Sequence, residues 1–437
     1  MASTRQKELI KKRHDLIPGG AHTYSKGDDQ FPTNAPPLVV KGKGAYVWGS
    51  DGKKYLDWCM GLRTGILGHA NEIVNRAVVK QMKEGTNFGR PHPVEFELAD
   101  LLVKTLPNVE MVKFAKNGST VTTAATKLAR AFTGRKYIAV CSSQPFFSYD
   151  DWFIGTTSCD SGIPEEIKKL TLTFKYNDLA SLKQLFKDHP KEIACVIMEA
   201  ATTEPPVDNY LQKVQALAKA EGSVFILDEM ITGFRWGLQG AQKYFGLKPD
   251  LITYGKAIGN GYSVAVLAGR KDIMELGGIY HTKERVFLIS TTHGAETVSL
   301  AAAMATINEL KTKKVPEYLW RLGKQLKQSL TKEIKALGLE KYVEVIGYEP
   351  NISMTFKDKT GAASAPLRTI LLEQVVSQGI LFQGYFATSA AHGAKELKLT
   401  LSVFKKALVV YKQALESGDY AAFLKGEPLK PVFRKYN

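Results

Sequence analysis

A series of short apolar runs between about residues 95 and 310 constrains the fold of this 437-residue chain more than any other feature. The runs do not alternate between polar and apolar residues, which is the pattern of strands buried on both faces. Helical patterns such as residues 209–222 lie between them, and this alternation indicates a mostly parallel sheet covered by helices. The runs are "KYIAVC" (136–141), "EIACVIMEA" (192–200), "SVFILDEM" (223–230) and "DLITYG" (250–255).

The pattern changes after about residue 311, and the change predicts a second domain. A basic helical segment is followed there by short strands and further helices, which suggests a smaller α+β domain. A chain of this length also favours two domains over one. We therefore predict an α/β protein with an N-terminal segment of helix and hairpin that packs with the small domain (1–60), a large domain (61–310) and a small C-terminal domain (311–437).

The chain is basic, with 59 lysines and arginines against 43 aspartates and glutamates. Much of the excess lies at 311–338, where apolar residues recur every three or four positions with lysines between them. That spacing is typical of a helix with one solvated face, so it does not require a nucleic-acid partner. No apolar run suits a membrane span, the start lacks a signal-peptide pattern, and the cysteines show no metal spacing. We expect a soluble, cytoplasmic protein that binds no metal, nucleic acid or membrane.

Three polar elements fall where such a sheet would present chemistry, beyond the carboxyl ends of its strands. Asp228 directly follows an apolar run, and a buried carboxylate is costly unless a cation pairs with it. Lys256 follows the next run 28 residues later, enough for one helical crossover to a neighbouring strand. Asn117, Gly118 and Ser119 precede a helical pattern, and a helix start binds anions. Each also has a structural alternative: a helix cap or ion pair for Asp228, a surface lysine for Lys256 and an ordinary N-cap for the helix start.

Together the three elements describe one ligand. A lysine in a partly apolar pocket can become a nucleophile for an aldehyde, and Lys256 lies among glycines that allow close approach of a ligand. Asp228 suits a pyridinium nitrogen, and the helix start at Gly118 suits a phosphate. An aldehyde, a pyridine ring and a phosphate are the parts of pyridoxal 5′-phosphate, whose usual partners are a Schiff-base lysine and an acidic group at the ring nitrogen.

These stretches are similar to a known family. "FILDEMITGFRWG" together with "DLITYGKAIGNGYSVAVLAGR" resembles the class III pyridoxal-phosphate aminotransferases, and within them the glutamate-1-semialdehyde 2,1-aminomutase group. The resemblance implies the aspartate-aminotransferase type of fold (fold type I), with a large domain of mostly parallel sheet and a smaller α+β domain. It also implies a homodimer with shared active sites. Further matches, in family order over about residues 15 to 310, are "PGGAHTYSKG", "YLDWCMGLRTGILGHA", "KNGSTVTTAATKLARAFTGR" and "STTHGAETVSLAAAMA".

The resemblance assigns the two catalytic roles. Lys256 would form a Schiff base with the cofactor and then move a proton between the substrate Cα and the cofactor C4′, through quinonoid and ketimine intermediates. Asp228 would keep the ring nitrogen protonated. A free amine beside the acidic carbon is a suitable general base, which supports this division of roles.

The resemblance also assigns the cofactor contacts. Met230 would pack on one face of the pyridine ring and Phe146 on the other. Gly118 and Ser119 would bind the phosphate, and Thr291 would reach the same phosphate from the partner subunit.

Three departures from the family pattern bear on the substrate. Phe146-Phe147-Ser148 stand where the family has Tyr-His-Gly, and Ser290–Glu296 replace Gly-Thr-x-Ser-Gly-Asn-Pro. Lys26 stands where the aminomutases have an arginine for the substrate carboxylate, and lysine lacks its bidentate geometry. We therefore favour amino transfer between a small-molecule donor and another carbonyl compound. The alternatives are the aminomutase, which gives 5-aminolevulinate, a racemase, and a non-catalytic basic binding protein.

Three further features have open roles. Arg63 could replace the lost cation or be a solvated loop residue. His293 could contact the substrate or be structural. Residues 157–166, "TSCDSGIPEE", could belong to a mobile lid.

Overall fold

The computed structural model describes residues 4–436; residues 1–3 and 437, which belong to the predicted N-terminal and C-terminal segments, lie outside the described residues. The α-helices are α1 (Thr4–Leu16), α2 (Met60–Arg63), α3 (Glu72–Glu84), α4 (Pro93–Thr105), α5 (Gly118–Thr133), α6 (Asp151–Ile154), α7 (Glu165–Lys168), α8 (Leu179–Asp188), α9 (Tyr210–Ala220), α10 (Gly240–Phe245), α11 (Lys271–Met274), α12 (Thr297–Thr312), α13 (Val315–Ala336), α14 (Ala365–Ser377) and α15 (Ala394–Ser417). The strands are β1 (Val39–Lys43), β2 (Tyr46–Gly49), β3 (Lys54–Asp57), β4 (Met111–Ala115), β5 (Tyr137–Cys141), β6 (Thr171–Phe174), β7 (Ile193–Glu199), β8 (Val224–Asp228), β9 (Leu251–Tyr254), β10 (Ala265–Gly269), β11 (Val343–Ile346), β12 (Asn351–Phe356), β13 (Ile380–Leu381) and β14 (Tyr385–Ala387).

The described chain divides into two compact units. One consists of Glu72–Glu317 with the described residues 435–436, and the other combines the described residues up to Asn71 with Tyr318–Arg434. No helix among residues 4–436 is both long and apolar enough to cross a membrane.

The unit of Glu72–Glu317 is built on a seven-stranded sheet in the order β4-β10-β9-β8-β7-β5-β6. The four predicted apolar runs form β5, β7, β8 and β9, which pair in parallel together with β6. β10 is antiparallel to both β9 and β4, so the sheet is mixed at one side. The predicted α/β class with a mostly parallel central sheet is therefore confirmed.

The sheet brings the predicted site residues to one edge. Asp228 ends β8 and lies opposite Thr253 of β9, so the segment between them crosses to a neighbouring strand as predicted. The strand β4 runs parallel to β9, because β10 is antiparallel to both. The carboxyl ends of β4, β8 and β9 therefore meet at the same edge, and α5 starts there at Gly118.

The second unit has two smaller sheets, β1-β2-β3-β13 and β11-β12-β14. The hairpin predicted within residues 1–60 is formed by β2 and β3, which are joined by a turn that contains Ser50–Gly52. Helix α13, which belongs to this unit from Tyr318 onward, carries the predicted apolar stripe, and the lysine-rich face is the opposite one. The stripe residues are all at most 3 % exposed: Val315, Leu319, Leu322, Leu326, Leu330 and Ile334.

Candidate active site

Asp228 is a buried carboxylate at the end of a buried strand. The residue is only 2 % exposed, and its Oδ1 atom accepts hydrogen bonds from the Met230 amide (2.8 Å) and the Thr253 hydroxyl (3.1 Å). Burial raises the pKa of Asp228 to about 6, while the charge of Lys256 and the two hydrogen bonds act to lower it. A cation near this carboxylate therefore favours its ionised form.

Lys256 begins a short 3₁₀ turn, Lys256–Gly259, immediately beyond β9. Its backbone φ is +47°, a left-handed conformation that is uncommon for a residue with a side chain. Strained backbone of this kind is concentrated at functional sites, where surrounding structure holds it in place. The partly buried lysine is close enough to influence the titration of Asp228 electrostatically, so the two predicted catalytic residues share one site.

The side chain of Met230 joins the third predicted element to this pair. A Cβ atom placed on Gly255 would lie 2.6 Å from the Met230 sulfur, and one placed on Gly118 would lie 3.0 Å from it. The sulfur therefore lies between the start of α5 and the residue before Lys256. An acid, an amine, an apolar side chain and a helix start are thus assembled in one place, which fits pyridoxal phosphate.

The start of α5 is organised by side-chain hydrogen bonds. Asn117 accepts a hydrogen bond from the Thr120 amide (2.9 Å) and is therefore the N-cap of α5. This is the structural role that the sequence left open for it. The buried Ser119 hydroxyl accepts from the Tyr149 amide at 3.0 Å. The amide groups of a first helical turn have no acceptor within the helix, so this end of the helix suits a phosphate.

The Phe146-Phe147-Ser148 segment divides into an exposed and a buried part. Phe146 is 47 % exposed and contacts the edge of Phe153, with ring centroids 5.8 Å apart. Phe147 belongs to the core, and the buried Ser148 hydroxyl lies 3.2 Å from that of Thr123. Phe146 is therefore the residue of this segment with a surface left for a ligand, whereas its two neighbours are used in packing.

Thr291 lies outside this cluster. It is exposed on the turn Thr291–Gly294 and lines a surface groove of about 460 Å³ with residues that include Phe96, Phe114 and Ile289. Its predicted contribution to the partner subunit's site stays a prediction.

A second buried acid was missed by the sequence argument. Glu229 is fully buried and accepts hydrogen bonds from the Ala241 and Gln242 amides, at 2.9 and 2.7 Å, and from the Thr232 hydroxyl. Burial raises its pKa to about 7. The side-chain amide of Gln242 donates in turn to the Tyr254 hydroxyl at 2.6 Å. This network stabilises the ends of β8 and β9. In the sequence, the only indication of a buried role for Glu229 was its position directly after Asp228.

The residues with open roles lie in different surroundings. His293 is exposed in the unit of Glu72–Glu317. In the other unit, Lys26 is exposed, whereas Arg63 donates to the Asn351 side chain at 2.6 Å and stacks on the ring of Tyr385 at 3.8 Å. Arg63 is therefore held by protein contacts and is not a solvated loop residue.

The glycine before Lys256 provides a direct test of the cofactor site. We expect Gly255→Ala to push the Met230 side chain into the space for the ring and to weaken pyridoxal phosphate binding by about tenfold, the scale of typical overpacking. Titration of the cofactor-free protein would measure the effect. Gly89→Ala is the matched control, because no atom lies within 4 Å of a Cβ built there. Equal affinities of the two variants would contradict the expectation.

Known proteins resemble the chain over most of its length. The sequence model of the family "Aminotransferase class-III" matches residues 29–385. Glutamate-1-semialdehyde 2,1-aminomutases of Ignicoccus hospitalis and Thermus thermophilus are 31% and 33% identical, covering 93% and 91% of this chain and 99% and 97% of theirs. The structure of the PLP internal aldimine form of the Sphingopyxis sp. MTA144 FumI protein has a TM-score of 0.86 at 24% identity and covers 98% of this chain and 99% of that one. The chain therefore belongs to the class III aminotransferase family and is an enzyme whose cofactor is pyridoxal 5′-phosphate.

Proposed function

We propose that this enzyme is an aminotransferase that moves an amino group from a small-molecule donor to a carbonyl acceptor. The observation that supports the proposal most is the arrangement of Asp228 and Lys256 at the ends of paired strands, with Met230 between Lys256 and the start of α5. Amino transfer needs an amine beside the reacting carbon, an anion at the ring nitrogen and an anchor for the phosphate.

The residues of the chain divide this work. Pyridoxal phosphate, when bound, supplies a ring that accepts the electrons left on the substrate Cα when its proton departs. Lys256 Nζ would take that proton and return it to a neighbouring carbon, as a general base and then a general acid. Asp228 would hold a proton on the ring nitrogen, since the buried carboxylate is stabilised by a cation in front of it.

Other groups would fix and shield the cofactor. Met230 and Phe146 would cover the two faces of the ring, and the half-exposed ring of Phe146 has the free surface that this role requires. The first turn of α5, with Asn117 as its cap, would bind the phosphate together with Gly118 and Ser119. Contacts at both the ring and the phosphate would orient the bond that breaks.

A homodimer with shared active sites is part of the proposal. Large aromatic side chains are exposed on the unit of Glu72–Glu317, among them Phe96 (75 %) and Phe287 (73 %). Phe96 lines the groove that also contains Thr291, and exposed aromatic side chains of this kind are enriched at interfaces. Burial of the groove against a second copy would place Thr291 at the interface. Sedimentation analysis that gives a monomer at micromolar concentration would overturn this part of the proposal.

The aminomutase is the second candidate, because both curated relatives above have that name. Against it stand the departures at Lys26, at Phe146–Ser148 and at Ser290–Glu296, which change groups that a glutamate-semialdehyde site would use.

A donor screen separates the two functions. The protein loaded with pyridoxal phosphate would be mixed with single amines, and absorbance would follow conversion of the cofactor to its pyridoxamine form. Conversion with release of a keto product supports the aminotransferase. Quantitative formation of 5-aminolevulinate from glutamate semialdehyde supports the aminomutase instead. A protein that takes up no pyridoxal phosphate would overturn both.

A further inference from the structure

An ion pair lies directly beside residues 117–119, which form the predicted phosphate-binding loop. Lys116 precedes Asn117, and its Nζ atom lies 2.6 Å from Glu296 Oε1 and 3.1 Å from the Ser299 hydroxyl. Glu296 is also the N-cap of α12, since its carboxylate accepts from the Val298 and Ser299 amides at 2.9 and 3.1 Å. One carboxylate therefore joins the start of α12 to the end of β4.

The pair connects three loops of the same unit. The carbonyl of Lys116 accepts a hydrogen bond from the Ser263 hydroxyl at 2.5 Å, and Ser263 belongs to the segment after Lys256. The turn before Glu296 packs against β4 as well, because a Cβ on Gly294 would lie 3.5 Å from the Phe114 carbonyl oxygen. Lys116 thus lies where the phosphate-binding loop, the segment after Lys256 and the Thr291 turn come together.

The Lys116–Glu296 pair is largely shielded from solvent, so breaking it is expected to disturb the structure around it. The two side chains are only 23% and 19% exposed, whereas fully exposed pairs contribute little. Burial lowers the pKa of Lys116, an effect that its contact with Glu296 opposes. Burial acts to raise the pKa of Glu296, but hydrogen bonds from Lys116 and Ser299 outweigh it, and the net pKa is lowered. Removal of the lysine charge would leave a largely buried carboxylate without its counter-ion, which is strongly unfavourable.

We propose that Lys116 and Glu296 are positioning residues that hold the phosphate-binding loop of one site and the Thr291 turn, offered to the partner subunit's site, in one fixed arrangement. This inference rests on the proposed cofactor site and homodimer. Glu296 stands where the family resemblance has proline, and its pairing with Lys116 gives that departure a structural reason. Neither residue needs to touch the cofactor for the effect.

Cofactor affinity tests the proposal without reference to turnover. We expect Lys116→Met to raise the Kd of the cofactor-free protein for pyridoxal phosphate by about tenfold, the scale of one lost charged hydrogen bond. Lys116→Arg keeps the charge and is expected to restore most of the affinity. The matched control is Lys313→Met at the far end of α12, which removes the same charge from a lysine that is 60 % exposed and paired with Glu309 (2.5 Å), and it is expected to leave the Kd unchanged.

The outcomes are distinguishable from failure of the proposed function. Wild-type protein that binds no cofactor overturns the proposed function, whereas wild-type binding with an unchanged Kd in Lys116→Met overturns this inference alone. If a thermal unfolding measurement shows that Lys116→Met is not folded, Glu296→Gln is used in its place. Glutamine keeps an oxygen for the helix cap and loses only the charge. An unchanged Kd in that variant overturns the inference equally.

A double-mutant cycle tests the coupling itself. Thr291→Val and Lys116→Met are combined, and the Kd of the double variant is compared with the two single variants. If Lys116 acts by positioning the Thr291 turn, the double variant loses clearly less affinity than the product of the single losses. Strictly multiplicative losses show that the two residues act independently and overturn the proposal.

Discussion

Replacement of Lys256 by alanine is expected to lower the rate of amino transfer by roughly a thousandfold or more, since it removes the nucleophile and the general base together. The variant should still bind pyridoxal phosphate through Asp228 and the start of α5, but without the absorption band of a lysine-bound cofactor. Steady-state turnover and the visible spectrum measure the two effects. Lys248→Ala, at an exposed lysine just before β9, is the control.

A small primary amine sharpens this test. Added amine can replace part of the missing proton transfer, so it is expected to restore a fraction of the activity of Lys256→Ala and to leave Lys248→Ala unaffected. Wild-type turnover in Lys256→Ala without added amine would show that another residue does the chemistry.

Asp228→Asn is expected to have opposite effects on activity and on stability. Activity should fall by roughly a hundredfold or more, because a neutral amide cannot hold the ring nitrogen in its protonated form. The cofactor-free protein should become more stable at pH 8, by an amount on the order of 3 kcal/mol. The Oδ1 acceptor for the Met230 amide and the Thr253 hydroxyl is retained, so the change removes mainly the charge.

The sign of the stability effect follows from burial of Asp228. Burial raises the pKa of this group from 3.8 to about 6 in the folded chain. Its contribution to stability is therefore fully present below pH 3.8 and is lost as the pH rises through 6. Asparagine does not titrate, so the advantage of Asp228→Asn should be present above pH 6 and disappear at pH 4. Thermal unfolding of the two cofactor-free proteins at both pH values checks this, and a lower midpoint for the variant at pH 8 would contradict it.

The fold was predictable where burial leaves a local signal. The runs that form β5, β7, β8 and β9 are apolar on both faces, and this property is visible in the sequence itself. The antiparallel direction of β10 has no such signal, because strand direction depends on pairing with distant partners. Likewise, the pairing of β3 with β13 joins residues far apart in sequence, which periodicity cannot reveal.

The site was predictable to a similar depth. Asp228 and Lys256 were visible because each follows an apolar run, so the strand topology alone brings them to one edge. Glu229 was not visible as a buried group, since two of its partners are backbone amides of α10 that any sequence could supply. Glu296 was visible only as a departure from the family pattern, because its partner Lys116 lies 180 residues away.

The unit that contains β3 is formed by two parts of the chain that lie far apart in the sequence, and this has a consequence for biosynthesis. Leu56 pairs with Ile380, and the indole of Trp58 donates to the Thr400 hydroxyl at 2.9 Å, so early residues are covered by late ones. On the ribosome these side chains emerge long before their partners, and a nascent chain must keep them from aggregating until translation is almost complete. Premature termination anywhere before residue 380 would leave this surface permanently uncovered and available to chaperones and proteases.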